Sequence, residues 1–304
     1  MTDRHPLGEF LSSRRAALDP QRAGLPASSL ARRVAGLRRE EVAALAGISA
    51  AYYTKLEQGR VGQVSDQVLR AVEDALQLDG LEREHFRTLV RAAAGRPSPG
   101  PRGGPATGPA SRPVSKPRAG LVAMVHALDT PALLHGPRLD VLAVNDAARL
   151  LIDDFDALPL RERNLARWTF LNPRAKVVYP QWTQIAPQTA AALRHLTVSR
   201  QGDTLLEQLV GEIMIASPEF ARYWSDYQLY EHSYGSKKFF NETVGELDLH
   251  YETLSLTGDD GQSVILYTAD RNSPSEDKLR LLASWNAPSD TAGEPGRLPR
   301  PGAS

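Results

Sequence analysis

Apolar residues recur at helical spacing through the first third of the chain, in LGEFLSSRRAAL, EEVAALA, AAYYTKLEQ, SDQVLRAVEDALQL and EREHFRTLVRAAA. The intervals between these stretches are short and carry Gly or Ser, and no two-residue alternation interrupts them. The pattern predicts an all-α bundle of about five helices. Past residue 119 the pattern changes. LHGPRLDVLAVN reads as strands punctuated by Pro and Gly, and VGELDLHYETLSLT with QSVILYTAD reads as two strands around a GDDG turn. Between these strand regions, NDAARLLI, RNLARWTFL, QWTQIAPQTAAALRHLTVSR, TLLEQLVGEIMIAS and PEFARYWSDYQ are helical in pattern. Strands, then helices, then strands predict an antiparallel sheet packed against helices, an α+β domain. Leu247, Leu249 and Tyr251 alternate to one face of their strand while Leu254 and Leu256 fall on the other, which predicts a bulge or bend near Thr253.

The two patterned blocks are separated by GRPSPGPRGGPATGPASRPVSKPR, residues 95–118, in which half of the residues are Pro or Gly and Val114 is the only large apolar one. Such a stretch cannot bury enough surface to order itself and reads as an extended linker. The end of the chain, APSDTAGEPGRLPRPGAS, has the same character. The expected division is therefore a helical domain at 1–94, a linker at 95–118, a second domain at 119–285 and a disordered tail at 286–304.

Net charge is zero, but residues 95–118 hold five basic and no acidic side chains, and the chain beyond them holds 17 basic against 24 acidic. That asymmetry points to a polyanion partner for the first part only. There is no cysteine, which excludes a disulfide scaffold, a thiol nucleophile and cysteine metal sites and suits the reducing cytoplasm. No window approaches 18 apolar residues, and MTDRHPLGEF has no apolar segment of the kind that opens a signal peptide, so a cytoplasmic protein without a membrane span is expected.

Residues 36–60, GLRREEVAALAGISAAYYTKLEQGR, place two short helices around Gly47-Ile48-Ser49. Two helices joined by a three- or four-residue turn with Gly is the helix-turn-helix layout. Ala43 is small where the helices cross, Gly47 suits the turn, Ser49 can cap the second helix, and Val42, Ala46, Ile48, Tyr53 and Leu56 fill the inward positions. Tyr53 is the least typical of these, since its hydroxyl needs a partner. Ala50, Ala51, Tyr52 and Lys55 then lie on the outward face of the second helix, the element that enters the major groove in this motif, with Ser49 at its start. The alanines suit thymine methyls, while Tyr52 and Lys55 suit bases or phosphates. Arg38, Arg39 and Arg60 flank the pair as phosphate contacts. The alternative is a helical hairpin buried within some other bundle.

The same stretch resembles the helix-turn-helix of the XRE (Cro/repressor-like) group, over roughly residues 30–90. The resemblance implies a lambda-repressor-like fold, sequence-specific recognition of double-stranded operator DNA as a homodimer, and an internal role for Glu57 within the bundle. The Gln that commonly opens the first motif helix is Arg39 here.

The second block lacks HExxH, GxSxG, P-loop and GxGxxG motifs, and its histidines show no metal-ligand spacing. No metal, no cofactor and no catalytic residue is expected. Asp259-Asp260-Gly261 reads as a hairpin turn, and Asp153, Asp154 and Asp156 as solvated charges at a helix end. Arg163, Arg167, Trp168, Phe170, Trp182, Arg194, Phe220, Tyr223, Trp224 and Tyr227 all fall on predicted helices. They read either as core rings with solvated arginines or as a ring-lined cavity with a guanidinium at its rim to hold a carboxylate.

Motifs spread along this block, DVLAVNDAARLL, RNLARWTFLNP, QW, SPEFARYW and VGELDLHYETL, resemble the ligand-binding domain of MmyB-like transcription regulators. The resemblance implies a PAS-like fold, a fatty-acid-like ligand, and ligand contact by Asn145, Arg163, Asn164, Arg167, Trp168, Trp182, Phe220 and Trp224. Asn145 also suits a helix cap. Asn241-Glu242 stand where members of that group usually carry His-Pro. The resulting expectation is a transcription regulator that senses an apolar small molecule. The alternatives are a DNA-binding domain fused to a protein-interaction module of antitoxin type, or to an enzyme acting on a small molecule.

Overall fold

The computed structural model describes residues 5–25, 36–94, 116–200, 202–226, 233–258 and 261–285. The greater part of the 95–118 stretch, the Asp259-Asp260 pair, Tyr227 and the tail from 286 lie outside the described residues.

The first block is helical: α1 (Pro6–Ala17), α2 (Arg39–Leu45), α3 (Ala50–Glu57), α4 (Asp66–Ala75) and α5 (Gly80–Ala93). Their starts follow from their residues. Ser49 Oγ accepts from the Tyr52 N–H at 3.1 Å, and Ser65 Oγ accepts from Val68 at 3.4 Å. Asp79 and Glu82 accept reciprocally from each other's N–H at 2.8 and 3.0 Å, a capping box that opens α5. Leu7, Phe10, Leu11, Val42, Tyr53, Leu56, Val72 and Phe86 form a fully buried core. The crossing of α1 under α3 requires Gly8, since a Cβ there would lie 2.1 Å from the Glu57 carbonyl oxygen.

In the second block α6 (Ala119–His126) leads into β1 (Ala132–His135) and β2 (Val141–Val144). Then follow α7 (Asp146–Leu151), two 3-10 turns at Phe155–Ala157 and Leu160–Glu162, α8 (Leu165–Leu171), α9 (Arg174–Val178), α10 (Trp182–Ser199), α11 (Thr204–Ala216) and α12 (Pro218–Asp226). Strands β3 (Tyr234–Asn241), β4 (Gly245–Ser255) and β5 (Ser263–Thr268) precede the last helix, α13 (Pro274–Trp285). The five strands form one antiparallel sheet in the order β2-β1-β5-β4-β3, so the α+β architecture expected from the pattern is the one found.

Thr253 carries no bulge. The β4–β5 register runs unbroken from His250↔Thr268 to Ser255↔Ser263, and the irregularity in the sheet lies instead between Leu134 and His135. The leucines on the second face have another explanation. Leu121 and Val125 of α6 pack over the outer face of the sheet with Ala132, Leu134, Ala143 and Val264, and Leu256 joins that cluster while Leu254 stays half-exposed. Both faces of one end of the sheet are thus covered, and no change of side is needed.

The blocks also touch. Val198, near the end of α10, lies in the buried apolar cluster of the first block, and the ring of His195 sits 6.2 Å from that of His85 on α5. Burial first, then the neighbouring His195, Arg194 and Arg14, hold the His85 imidazole down at about 3. α10 therefore begins among the rings of the second domain and ends against the helical bundle of the first block.

Candidate DNA-binding and ligand-binding sites

Gly47 sits in the left-handed region at φ 64°, between α2 and α3. This conformation is cheap only without a Cβ. Val42, Ala43, Ala46, Tyr53 and Leu56 are buried as the hairpin requires, and Ile48 packs partly buried beside them. Burial, with the nearby Glu57 carboxylate, pushes the Tyr53 hydroxyl well above its usual range. On the outside, Ser49, Ala50, Ala51 and Lys55 are exposed and Tyr52 is partly so. Arg38, Arg39 and Arg60 are exposed around them. Glu57 is buried and accepts from Arg15 Nη2 at 3.1 Å and from Arg39 Nε, so it ties α1, α2 and α3 together. Arg39 thus has an internal partner.

In the second domain the aromatic side chains fall into two groups. One leans on the sheet: Trp168 lies 5.9 Å from Phe155 and edge-on to Tyr179 at 5.7 Å. Tyr179 meets Phe239 at 5.3 Å, and Phe239 meets Tyr267 at 5.1 Å. The other lies among α8, α10 and α12. There Phe170 meets Phe220 at 4.9 Å and Trp182 at 6.0 Å, Trp182 meets Tyr223 at 6.2 Å, and Phe220 meets Trp224 at 5.3 Å. The guanidinium of buried Arg194 lies 4.8 Å over Trp224. Two of these three indoles donate: Trp168 Nε1 to Asp153 at 2.6 Å and Trp182 Nε1 to the Thr169 carbonyl at 2.9 Å.

The polar residues of the expected ligand set hold the frame. Asn145 Oδ1 accepts from Ala132 and Ala148, each at 3.0 Å, and its Nδ2 donates to the Leu128 and Thr130 carbonyls at 2.9 and 2.7 Å. It joins β1 to the start of α7 with all four of its bonds made. Asn164 caps α8 through Ala166 and Arg167 and donates to the Arg138 carbonyl at 2.8 Å. Arg163 clamps the 3-10 turns through the Leu158 and Asp156 carbonyls at 2.9 and 2.6 Å. Arg167 pairs with Glu212 of α11. The acidic run after α7 is also bonded rather than merely solvated: Asp153 receives Trp168, while Asp154 and Asp156 pair with Arg149 at 3.0 and 2.8 Å.

Sequence reasoning placed Tyr251 on the inward face of its strand but missed the rings Phe155, Tyr179, Phe239 and Tyr267, and it missed Lys237. For Phe239 and Lys237 the signal was the alternation of β3. In β3, two lysines and a glycine obscure that alternation. A Ser–His–Asp chain also exists: Ser236 Oγ lies 2.9 Å from His250 Nδ1, and His250 Nε2 lies 3.1 Å from Asp270. Ser236 and His250 are directly opposed across β3 and β4 on the exposed side of the sheet, with about half of the His250 side chain and most of Asp270 in solvent. With water on every member and no donor pair beside the hydroxyl, it reads as a cross-strand hydrogen-bond ladder, because nucleophilic catalysis needs an activated hydroxyl and a stabilised oxyanion. Among the described residues no group of three His, Asp or Glu could hold a metal ion, and no helix is long and apolar enough to cross a membrane.

Residues 117–282 match the family model of the MmyB-like transcription regulator ligand binding domain, and residues 6–86 match that of a helix-turn-helix domain. No curated protein matches the chain.

Proposed function

Because the chain belongs to the family of MmyB-like transcription regulators, we propose that it is a cytoplasmic, non-enzymatic regulator whose first 94 residues bind operator DNA and whose residues 119–285 hold a fatty-acid-like molecule in a PAS-like domain, with 95–118 as linker and 286–304 as tail. The single observation that carries the DNA half is the outward face of α3. Ala50, Ala51 and Lys55 stand exposed, and Tyr52 partly so, on a helix whose start is capped by Ser49 and whose base is fixed by buried Glu57. One such helix reads few base pairs, so a homodimer would read two half-sites about 34 Å apart. Arg38 and Arg60 supply phosphate contacts at the edges.

The ligand half rests on the concentration of rings between sheet and helices. Trp168 lines the sheet side of the site, and Trp182, Phe220 and Trp224 the helix side. Asn145, Asn164 and Arg163 hold the walls in place, and Arg167 fixes α8 to α11. The signal reaches the first domain along α10, which starts in the core of the second domain and ends packed against the first. Mass spectrometry of an organic extract from the purified chain tests this reading. A stoichiometric fatty-acid-like molecule, together with an operator affinity that changes when it is removed, is the expected result. An empty extract from protein that also ignores added fatty acid would overturn the ligand half and leave the DNA half standing.

A further inference from the structure

Lys237 lies on the wrong face of its strand for an ordinary surface lysine. In the β3–β4 register it opposes Leu249, two residues from the Phe239↔Leu247 pair, and Phe239, Leu247 and Leu249 are buried on the face that meets the helices. Its Nζ sits 4.3 Å over the ring of Tyr251. That ring lies across Gly235, where a Cβ would come within 2.9 Å of it, so the glycine makes room for the tyrosine beneath the ammonium. Lys237 is partly buried and makes no hydrogen bond and no ion pair among the described residues, whereas its neighbour Lys238, on the other face, pairs with Asp248 at 3.5 Å. Beyond Lys237 the same face continues into the rings of Phe239, Tyr267 and Tyr179.

A cation set at the start of an apolar, ring-lined face, with no anion supplied by the described residues, is an incomplete ion pair. Of the guanidiniums that sequence reasoning offered for this task, Arg163 is taken by Asp156 and two carbonyls and Arg167 by Glu212, while Arg194 is buried on the helix side over Trp224, away from the sheet. We propose that Lys237 is the anchor for the anionic head group of the ligand, a long-chain carboxylate whose tail runs along the inner face of β3 and β4. Loss of water around the ammonium lowers it to about 8, so it is still mainly charged at neutral pH and gains from an arriving carboxylate. The proposal rests on the reading that the second domain holds a fatty-acid-like molecule and adds where the head group sits. The competing account is that an inward lysine on edge strand β3 guards the sheet against pairing with another chain.

The test uses the full chain, stripped of lipid, with two probes of equal length, radiolabelled hexadecanoic acid and hexadecan-1-ol, in equilibrium binding. The native chain is expected to bind the acid about tenfold or more tightly than the alcohol, the preference a single charged contact supplies. Lys237→Met should erase that preference by weakening the acid alone, and Lys237→Arg should restore most of it. Circular dichroism and oligomeric state are recorded on each variant, with Lys237→Gln as a second neutral replacement should the Met variant not fold. Equal binding of acid and alcohol by the native chain, or an undiminished preference in the neutral variants, overturns the anchor while leaving an apolar site in place. New self-association of the neutral variants with an intact preference would assign Lys237 to edge protection instead. Failure of the native chain to bind either probe overturns the anchor together with the reading beneath it.

Discussion

The helix-turn-helix and the ring-filled domain use their characteristic residues in opposite ways. In the hairpin, the residues assigned to recognition stand outside and the structural ones inside: Tyr52 and Lys55 face solvent while Tyr53 and Leu56, one position on, are buried. In the second domain the residues assigned to the ligand are themselves the core. Trp168 and Phe220 are as inaccessible as any leucine of the sheet. A helix surface can be edited for its partner without touching stability. A site built from core rings cannot, and any ligand it holds must be counted as part of the packing. The two regions should therefore respond differently to the same kind of truncation.

The largest expected effect is that of Trp168→Ala. Removing a buried indole that contacts Phe155 and Tyr179 and donates to Asp153 should cost about 3–5 kcal/mol. Urea unfolding of the second domain, followed by far-UV dichroism, measures it. Tyr52→Ala, by contrast, should stay within about 0.5 kcal/mol of the native stability while weakening operator binding. Should Trp168→Ala leave stability unchanged and alter only ligand retention, the contrast between the two regions would be wrong, and Trp168 would line an open cavity.

The second effect concerns the seam where the regions meet. His85 is held at about 3 in the fold against an ordinary 6.5, by burial and then by His195, Arg194 and Arg14, and burial lowers His195 as well against the opposing pull of Glu84. The unfolded chain takes up protons as pH falls below about 6.5 while the folded chain resists until about 3. Stability is therefore complete above the first value and is lost progressively towards the second. Denaturation midpoints between pH 7.5 and 4.5 should fall more steeply in the native chain than in His85→Phe, which keeps the edge contact with Phe10. Parallel pH profiles would mean that the α5–α10 contact opens before the histidine titrates.

The same contrast explains what could be read from the sequence. The hairpin was legible to single residues, because Ala43, Gly47, Ser49, Tyr53 and Leu56 meet within one short span and each slot demands a particular size or backbone freedom. The α+β class was legible from the order of patterned segments. Three elements were not: α6, which covers the outer sheet face with a short stretch of small and apolar residues, edge strand β3, and α13. The ring residues were found by type, but their division into two groups was not. Tyr179 and Phe239 are 60 positions apart, and only the sheet brings them together. Asn145 and Asn164 show the converse. Their cap positions were readable, yet the further bonds that consume both amides come from Leu128, Thr130 and Arg138, which no local pattern connects. The α5–α10 contact was hidden altogether, because residues 95–118 read as an extended linker and no local pattern joins His85 to His195.

A smaller effect tests the exposed face itself. Lys55→Ala should weaken operator binding by about 1 kcal/mol and reduce the dependence of log K on log salt by about one unit, with no change in thermal stability. An unchanged salt slope with lost affinity would move Lys55 from phosphate to base contact.

The smallest and most informative change is Arg39→Ala. Arg39 bonds buried Glu57 through Nε, over half of its side chain remains in solvent, and its two terminal amino groups bond none of the described residues. A guanidinium can donate in two directions at once, so one edge can serve Glu57 while the other meets a phosphate. Stability should change by no more than about 1 kcal/mol, because the pair is partly exposed and Arg15 still holds Glu57. The salt slope of operator binding should nevertheless drop by about one unit. A drop in stability with an intact slope would confine Arg39 to the inside of the bundle. In that case the exposed face would narrow to α3 and its flanks, and the separation between recognition outside and support inside would be complete even at this position.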